Sequence, residues 1–289
     1  MTAVMMDGRE VAREIRRRIA SEVATFERQF GLVPTVAVVQ LGQEPASARY
    51  VRQIQRSFRR SGMGFVLRAL PETVSSRDLL EVIKNLNADT KVHGIIVQLP
   101  LPPHLDVDLV SETIDPAKDV DGVHPLNAGR FLRGSGHYFV PATPAGGMEL
   151  LKHYRVSLEG KRAVVVGRST IVGRPMAMLL LHANATVTIC HSRTRDLAAY
   201  TRQADILAVA VGRPRLITVD MVKEGAAIVD FGINVLGDGS IVGDVDRDVA
   251  EVAAYLTPVP GGTGPMTNAL LLLNTLMAAQ RQVCATGFA

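Results

Sequence analysis

The run Val164-Val-Val-Gly167-Arg-Ser-Thr-Ile-Val-Gly173-Arg-Pro175 sets a glycine-bearing turn between an apolar, strand-like segment and a helix start. That order aims backbone N–H groups and a helix N-terminus at one spot, which is how a phosphate is held. The pattern departs from Gly-x-Gly-x-x-Gly, because Ser169 stands at the second glycine and the last glycine is displaced by one. By spacing alone the segment also suits a plain strand-to-helix turn. The end of the next strand bears on the choice. About 20 residues beyond such a turn a ribose 2′-hydroxyl calls for a carboxylate, whereas a 2′-phosphate calls for cations and hydroxyls. The chain offers Cys190-His-Ser192-Arg193-Thr194 there, and no acid. Ser192 and Arg193 alone suit a solvated loop equally well; together with Arg168 on the turn they read as an NADP site rather than an NAD site.

The elements that must carry this turn follow from periodicity. β-branched apolar runs alternate with amphipathic helical stretches along the chain, which predicts an α/β fold with mostly parallel sheets. In the first half the strands are Thr35–Val39 and Gly94–Val97, with helices over 46–60 and 79–86, the latter opened by Ser75-Ser-Arg-Asp78. In the second half Ala163–Val166, Thr186–Ile189, Ile206–Ala210 and Ala227–Asp230 have the spacing of a doubly wound, Rossmann-like nucleotide-binding sheet. A polar, turn-rich passage, Asp115-Pro-Ala-Lys-Asp-Val-Asp-Gly122, precedes a helix opening near Thr143-Pro144. The predicted division is therefore a first α/β domain over 1–142 and a nucleotide-binding domain over 143–265. A terminal helix, 267–280, follows a Gly/Pro-rich loop, and the segment 266–289 is expected to return to the first domain.

Bulk properties narrow the partners. At 289 residues, with 47% hydrophobic and 21% charged residues and no low-complexity tract, the chain suits two modest soluble domains. A net charge of +4 favours small anions. Nucleic acid is not supported: the arginines are scattered, Trp is absent, and Arg52, Arg56, Arg59 and Arg60 recur at the spacing of a solvated helix face. Cys190 and Cys284 lie far apart without metal-ligand spacing, and no metal is expected. Apolar runs such as Leu270–Leu273 are too short to span a bilayer. With no secretory leader ahead of Asp7-Gly8, a reducing cytoplasm is the expected location.

Several separated segments, taken together and in order, resemble one family. They are Pro45-Ala-Ser47 with Tyr50-Val51, Gln98-Leu-Pro-Leu-Pro102, Asp119-Val-Asp121-Gly122 with His124-Pro125, Gly167-Arg-Ser169 with Val172-Gly173, and Thr257-Pro-Val-Pro-Gly-Gly262 with Gly264-Pro-Met-Thr267. The chain is similar across nearly its whole length to the bifunctional methylenetetrahydrofolate dehydrogenase/cyclohydrolases. The resemblance implies a homodimer with a folate in a cleft, its reactive carbon facing the nicotinamide of NADP. It assigns Asp121 to the pterin, whose aminopyrimidine edge presents two adjacent donors that one carboxylate accepts together. Asp121 also suits a simple turn residue, a part Asp119 would fill as well. Tyr50 would stack and hydrogen-bond, Gln98 would be a third polar group, and Leu99, Pro100, Gly262 and Pro265 would line the substrate. Thr143 and Ile233 join Gly167, Arg168, Ser169, Ser192 and Arg193 around the cofactor. The glycines of 258–266 would let backbone lie close to both ligands.

One position breaks the pattern. The family follows Tyr-Val with two residues and then a lysine, four after the tyrosine and on its helix face; this chain has Tyr50-Val-Arg-Gln-Ile54. Arg56 lies further round the helix and does not release a proton near neutral pH. Hydride transfer from methylenetetrahydrofolate needs positioning and electrostatics, whereas hydrolysis of the methenyl product needs a proton shuttle. The expectation is an NADP-dependent dehydrogenase with cyclohydrolase activity lost or very weak. The alternative is a paralogue that passes the one-carbon unit to a non-folate acceptor. Ala142 and Thr263 also replace a cysteine and a valine common in the family, changes that suit drift as well as an altered site.

Overall fold

Parallel strands covered on both faces must be apolar at every position, and the second half of the chain supplies such strands. In a computed structural model, which describes residues 2–42 and 44–285, the elements run β1 (Val4–Met5), α1 (Gly8–Phe30), β2 (Thr35–Leu41), α2 (Pro45–Arg60), β3 (Gly64–Leu70), α3 (Ser76–Ala88), β4 (Gly94–Val97), α4 (Val107–Thr113), α5 (Pro125–Arg133) and α6 (Ala142–His153). They continue with β5 (Arg162–Val166), α7 (Gly173–His182), β6 (Thr186–Cys190), α8 (Leu197–Thr201), β7 (Ile206–Val209), β8 (Ala227–Asp230), β9 (Asn234–Val235), β10 (Ile241–Val242), β11 (Tyr255–Leu256) and α9 (Thr263–Ala285). The chain forms two compact units, residues 1–13 with 141–270 and residues 14–140 with 271–289.

The larger sheet belongs to the first of these units. Its order is β1-β11-β8-β7-β5-β6, with every pairing parallel. Val164, Val166, Leu207, Val209 and Ile228 enter the core on one face, and Ala163, Val165, Ile206, Ala208, Ala227 and Val229 the core on the other. This alternation explains why each strand reads as an unbroken apolar run. The chain reverses direction of winding between β5 and β7, the switch point at which open α/β sheets bind ligands beyond their strand ends.

Three features differ from the sequence expectation. The sheet has six strands rather than four, because β1 pairs with β11 and β11 with β8. Residues 1–13 consequently join the nucleotide-binding unit instead of the first domain. The last helix starts at Thr263 rather than Thr267; Pro265 falls in its first turn, where the missing N–H has no intrahelical partner to lose. The expected segment 286–289 lies outside the described residues. Leu271 onwards packs in the unit of residues 14–140, the return that the sequence suggested.

That second unit is built on a three-stranded parallel sheet, β3-β2-β4. Central β2 buries Val36, Ala37, Val38 and Val39 completely. Below it α3 packs Leu79, Ile83 and Leu86, capped by Ser75, whose hydroxyl accepts from Asp78 N at 3.1 Å.

His93, immediately before β4, is buried, and its Nδ1 accepts from Thr35 N at 3.2 Å. Burial and then nearby Lys118 push its pKa below the ordinary value, against a smaller opposing effect of Asp89. A histidine with a lowered folded-state pKa contributes stability that is whole above its unfolded pKa of about 6.5 and is lost as pH falls below it. Urea unfolding from pH 7.5 to 5.5 is expected to show a loss of stability that His93→Asn removes. Parallel wild-type and variant curves would exclude this assignment.

Candidate functional site

α2 carries the first group of site residues. Pro45 opens it, Glu44 caps it by accepting from Ser47 N at 2.7 Å, and no glycine interrupts it before Gly62. Val51, Ile54 and Phe58 are buried, with Ile54 at 0% exposure, while Arg49, Arg52, Arg56, Arg59 and Arg60 are exposed. Tyr50 is half-buried at the edge of the buried face. Burial, and secondarily the charge of Asp121, raises its phenol pKa, so the hydroxyl is protonated at neutral pH.

The turn between α4 and α5 brings up the two aspartates, and the structure separates their hydrogen bonding. Asp119 is wholly buried; its Oδ1 accepts from Val123 N at 3.0 Å, and its Oδ2 from His124 N and Asn127 Nδ2, both at 2.8 Å. Asp121 accepts no hydrogen bond from the described residues and is half-buried. Burial, then the charge of Asp119, raises its pKa to about 6. Of the two, Asp119 is the turn-former and Asp121 the carboxylate without a donor among the described residues. Gln98 follows β4 directly, its Nε2 donating to Leu99 O at 2.8 Å; Leu99 is half-buried and Pro100 exposed.

The remaining predicted residues lie in the other unit. Gly167 follows β5 directly with φ +126°, and a Cβ there would sit 2.3 Å from Ala210 O. Gly173 opens α7, and a Cβ there would sit 2.4 Å from Gly167 O. Both glycines are therefore dictated by close backbone approach at the switch point. Ser169 Oγ accepts from Val172 N and Gly173 N, both at 3.2 Å, which shapes the turn and leaves its own proton to donate. Arg168 is exposed. After β6, His191 N donates to Thr194 Oγ1 at 2.9 Å and Arg193 N to His191 Nδ1 at 3.2 Å, so the turn is held by its own side chains while Ser192 and Arg193 project outward. Thr143 in α6 shares a 3.1 Å hydroxyl contact with Thr267, and Ile233, after β8, is 64% exposed. Gly262 is buried and Pro265 half-buried.

A pair of buried aspartates, Asp230 at the end of β8 and Asp244 just after β10, was not singled out by the sequence. Asp244 accepts from Val211 N (2.7 Å) and Gly212 N (3.0 Å) on Oδ2, and from Arg213 N and Asn234 Nδ2 (both 2.9 Å) on Oδ1. Asp230 accepts from Gly232 N, Asp244 N and Val245 N at 2.8–3.1 Å. Burial outweighs these donors and raises the Asp230 pKa to about 6. Thr257 and Thr263 bind the Asp230 backbone, so the Gly/Pro-rich loop is tied to the end of β8. Thr263 thereby gains a hydrogen bond that a valine would lack. The available signal was a pair of Gly-flanked aspartates around a two-strand hairpin, Asp230-Phe-Gly and Gly243-Asp244. Among the described residues no His/Cys/Asp/Glu cluster could hold a metal ion, and no helix is long and apolar enough to cross a membrane.

Comparison with known proteins agrees across the chain. The tetrahydrofolate dehydrogenase/cyclohydrolase catalytic domain matches residues 6–121, and the NAD(P)-binding domain of that name matches residues 141–283. The bifunctional protein FolD of Chloroflexus aggregans is 51% identical over 284 residues, covering 98% of this chain and 99% of that protein. The crystal structure of FolD, a methylenetetrahydrofolate dehydrogenase/cyclohydrolase from Campylobacter jejuni, superposes with a TM-score of 0.95 at 46% identity, covering 97% of this chain and 99% of that one. The Trypanosoma brucei methylenetetrahydrofolate dehydrogenase-cyclohydrolase, solved with NADP and an inhibitor, gives 0.94 at 40% identity, covering 98% and 99%.

Proposed function

Since the chain belongs to the tetrahydrofolate dehydrogenase/cyclohydrolase family, we propose that it oxidises 5,10-methylenetetrahydrofolate to the 5,10-methenyl cation with NADP as acceptor, and that it hydrolyses that cation poorly or not at all. The observation that carries the second half is Ile54, wholly buried on the helix face of Tyr50, where the family resemblance expects a lysine.

The oxidation moves one hydride and leaves a cation shared between two nitrogens, so no general base is needed. Asp121 accepts the paired donors of the pterin, and its lack of a protein donor supports that role. With a pKa of about 6 it is mostly ionised at pH 7. Tyr50, protonated, offers a ring and a donor, and Gln98 a side-chain oxygen. NADP supplies the acceptor carbon for the hydride. The Gly167 turn and the N-terminus of α7 would hold its diphosphate, and Arg168, Ser192 and Arg193 its 2′-phosphate.

Hydrolysis of the methenyl cation is different, because water must lose a proton and a ring nitrogen must gain one. Isoleucine provides neither. The apolar side chain also suits the second reading, transfer of the one-carbon unit to a non-folate acceptor.

The deciding experiment mixes purified protein with methylenetetrahydrofolate and NADP and follows NADPH absorbance. NADPH formation is expected, and its absence at high enzyme concentration would remove the dehydrogenase reading in favour of the second. Arg168→Ala is expected to raise the KM for NADP about 10- to 100-fold, the worth of a charge-assisted phosphate contact, while leaving the KM for NAD unchanged. Equal effects on both coenzymes would place Arg168 away from the 2′-phosphate.

A further inference from the structure

The turn from residue 118 to residue 127 is fixed at more points than a surface turn requires. Lys118 Nζ donates to Leu86 O (3.1 Å) and Asp89 O (2.7 Å), and Ile95 N donates to Lys118 O at 2.7 Å, which lays the segment along β4. Asn274 on α9 donates to Val120 O at 2.8 Å. Gly122, at φ +68°, donates to Asp119 O. At the centre is Asp119, with no exposure and three donors. Only Asp121 has no anchor from the described residues. Its neighbours are tied down, and of the two carboxylates this one alone is left without a donor.

We propose that Asp119 is the positioning residue of the folate half-site: its buried carboxylate closes the turn so that Asp121 is presented without a protein donor, and its negative charge acts directly on that neighbour. The proposal rests on the folate reading for its ligand, but its effect on Asp121 is independent of it. Two buried carboxylates one residue apart disfavour each other's ionisation. Asp121 accordingly titrates near 6, with burial the larger cause and Asp119 the second. The other charged or titratable groups in play are Tyr50 on α2, kept neutral by burial and by Asp121, and His124, whose effect falls on Asp119. Position 54 on α2 holds isoleucine and brings no cation to this half-site.

Because Asp119 only accepts, asparagine does not replace it. Either orientation of the amide sets an NH2 group against an N–H of the turn. Asp119→Asn thus removes the charge and loosens the turn, whereas Asn127→Ala removes one donor and keeps the carboxylate.

The test follows the carboxyl carbon of Asp121 by NMR from pH 4 to 8, assigned with Asp121→Asn, together with tetrahydrofolate and NADP binding at pH 7. In Asp119→Asn the Asp121 midpoint is expected to fall from about 6 toward the ordinary carboxylate range. Tetrahydrofolate Kd should rise about 10-fold, the loss of one charge-assisted hydrogen bond, with NADP Kd unchanged. Asn127→Ala, the variant expected to fold in any case, should also weaken tetrahydrofolate with no change for NADP. An unmoved midpoint in Asp119→Asn, or a folded Asn127→Ala with wild-type tetrahydrofolate affinity, overturns the proposal. If the midpoint falls but the wild-type protein binds no tetrahydrofolate, the positioning of Asp121 stands and the folate reading fails.

Discussion

Ile54→Lys is expected to raise the rate at which the protein hydrolyses methenyltetrahydrofolate by ~10²–10⁴-fold, the usual worth of one positioned acid/base group. In the unaltered protein the methenyl absorbance should decay no faster than in buffer. The argument is positional. Ile54 lies one helical turn after Tyr50 on α2 and is fully buried, so a lysine there starts from the tyrosine's face and is desolvated. Desolvation lowers a lysine pKa toward the range where it can shuttle a proton. The substitution also removes apolar burial worth ~1.5–3 kcal/mol, so a lower Tm should accompany any gain. Ile54→Met keeps the site apolar and should gain nothing. A folded lysine variant without faster hydrolysis would mean that position 54 is not what disables the second reaction. Rapid methenyl decay with the unaltered protein would refute the loss itself.

The sequence reached this position because its signal is local: tyrosine and expected lysine share one helix with caps and register intact. The same locality explains which elements were legible. β4 and β8 match their expected bounds, because a strand buried on both faces is an apolar run that stops where the chain leaves the core. β3 reads Gly-Phe-Val-Leu-Arg-Ala-Leu and sits at the sheet edge with three exposed positions, so it shows no unbroken run. β1 and β11 are two residues each, too short for any period; they exist only because they pair with partners distant in sequence. That non-local pairing is also why residues 1–13 fall in the unit that the sequence did not assign them. In the site, motif spacing brought Asp119 and Asp121 forward together, and only hydrogen bonding told them apart. The Asp230 and Asp244 pair stayed silent for the converse reason. Apart from the Asn234 amide, its partners are backbone N–H groups, which carry no residue-type signature.

Asp244→Ala is expected to destabilise the nucleotide-binding unit by about 3–5 kcal/mol, the sum of several buried donors left unpaired at ~1–3 kcal/mol each, reduced where water reaches them. Asp244 has no exposure and accepts from three successive backbone N–H groups, Val211, Gly212 and Arg213, and from Asn234. Alanine offers these donors nothing, and the space is not refilled: Gly232, whose Cβ would come within 2.5 Å of the carboxylate, has no side chain to move in. At roughly 2–4 °C per kcal/mol for a unit of this size, Tm should fall by about 10 °C or more. The segment released follows Ala210, against which Gly167 packs, so the turn proposed to take the diphosphate loses its backing. NADP Kd should therefore rise in the folded fraction at low temperature, while the tetrahydrofolate binding proposed for Asp121 should persist. Asp244→Asn separates charge from geometry less cleanly, because its amide NH2 faces donors in either orientation; it should fall between alanine and the unaltered protein. Calorimetry with and without NADP decides the matter. A Tm within about 2 °C of the unaltered protein's, a shift worth ~1 kcal/mol or less, would show that the 211–213 turn is held by something other than Asp244.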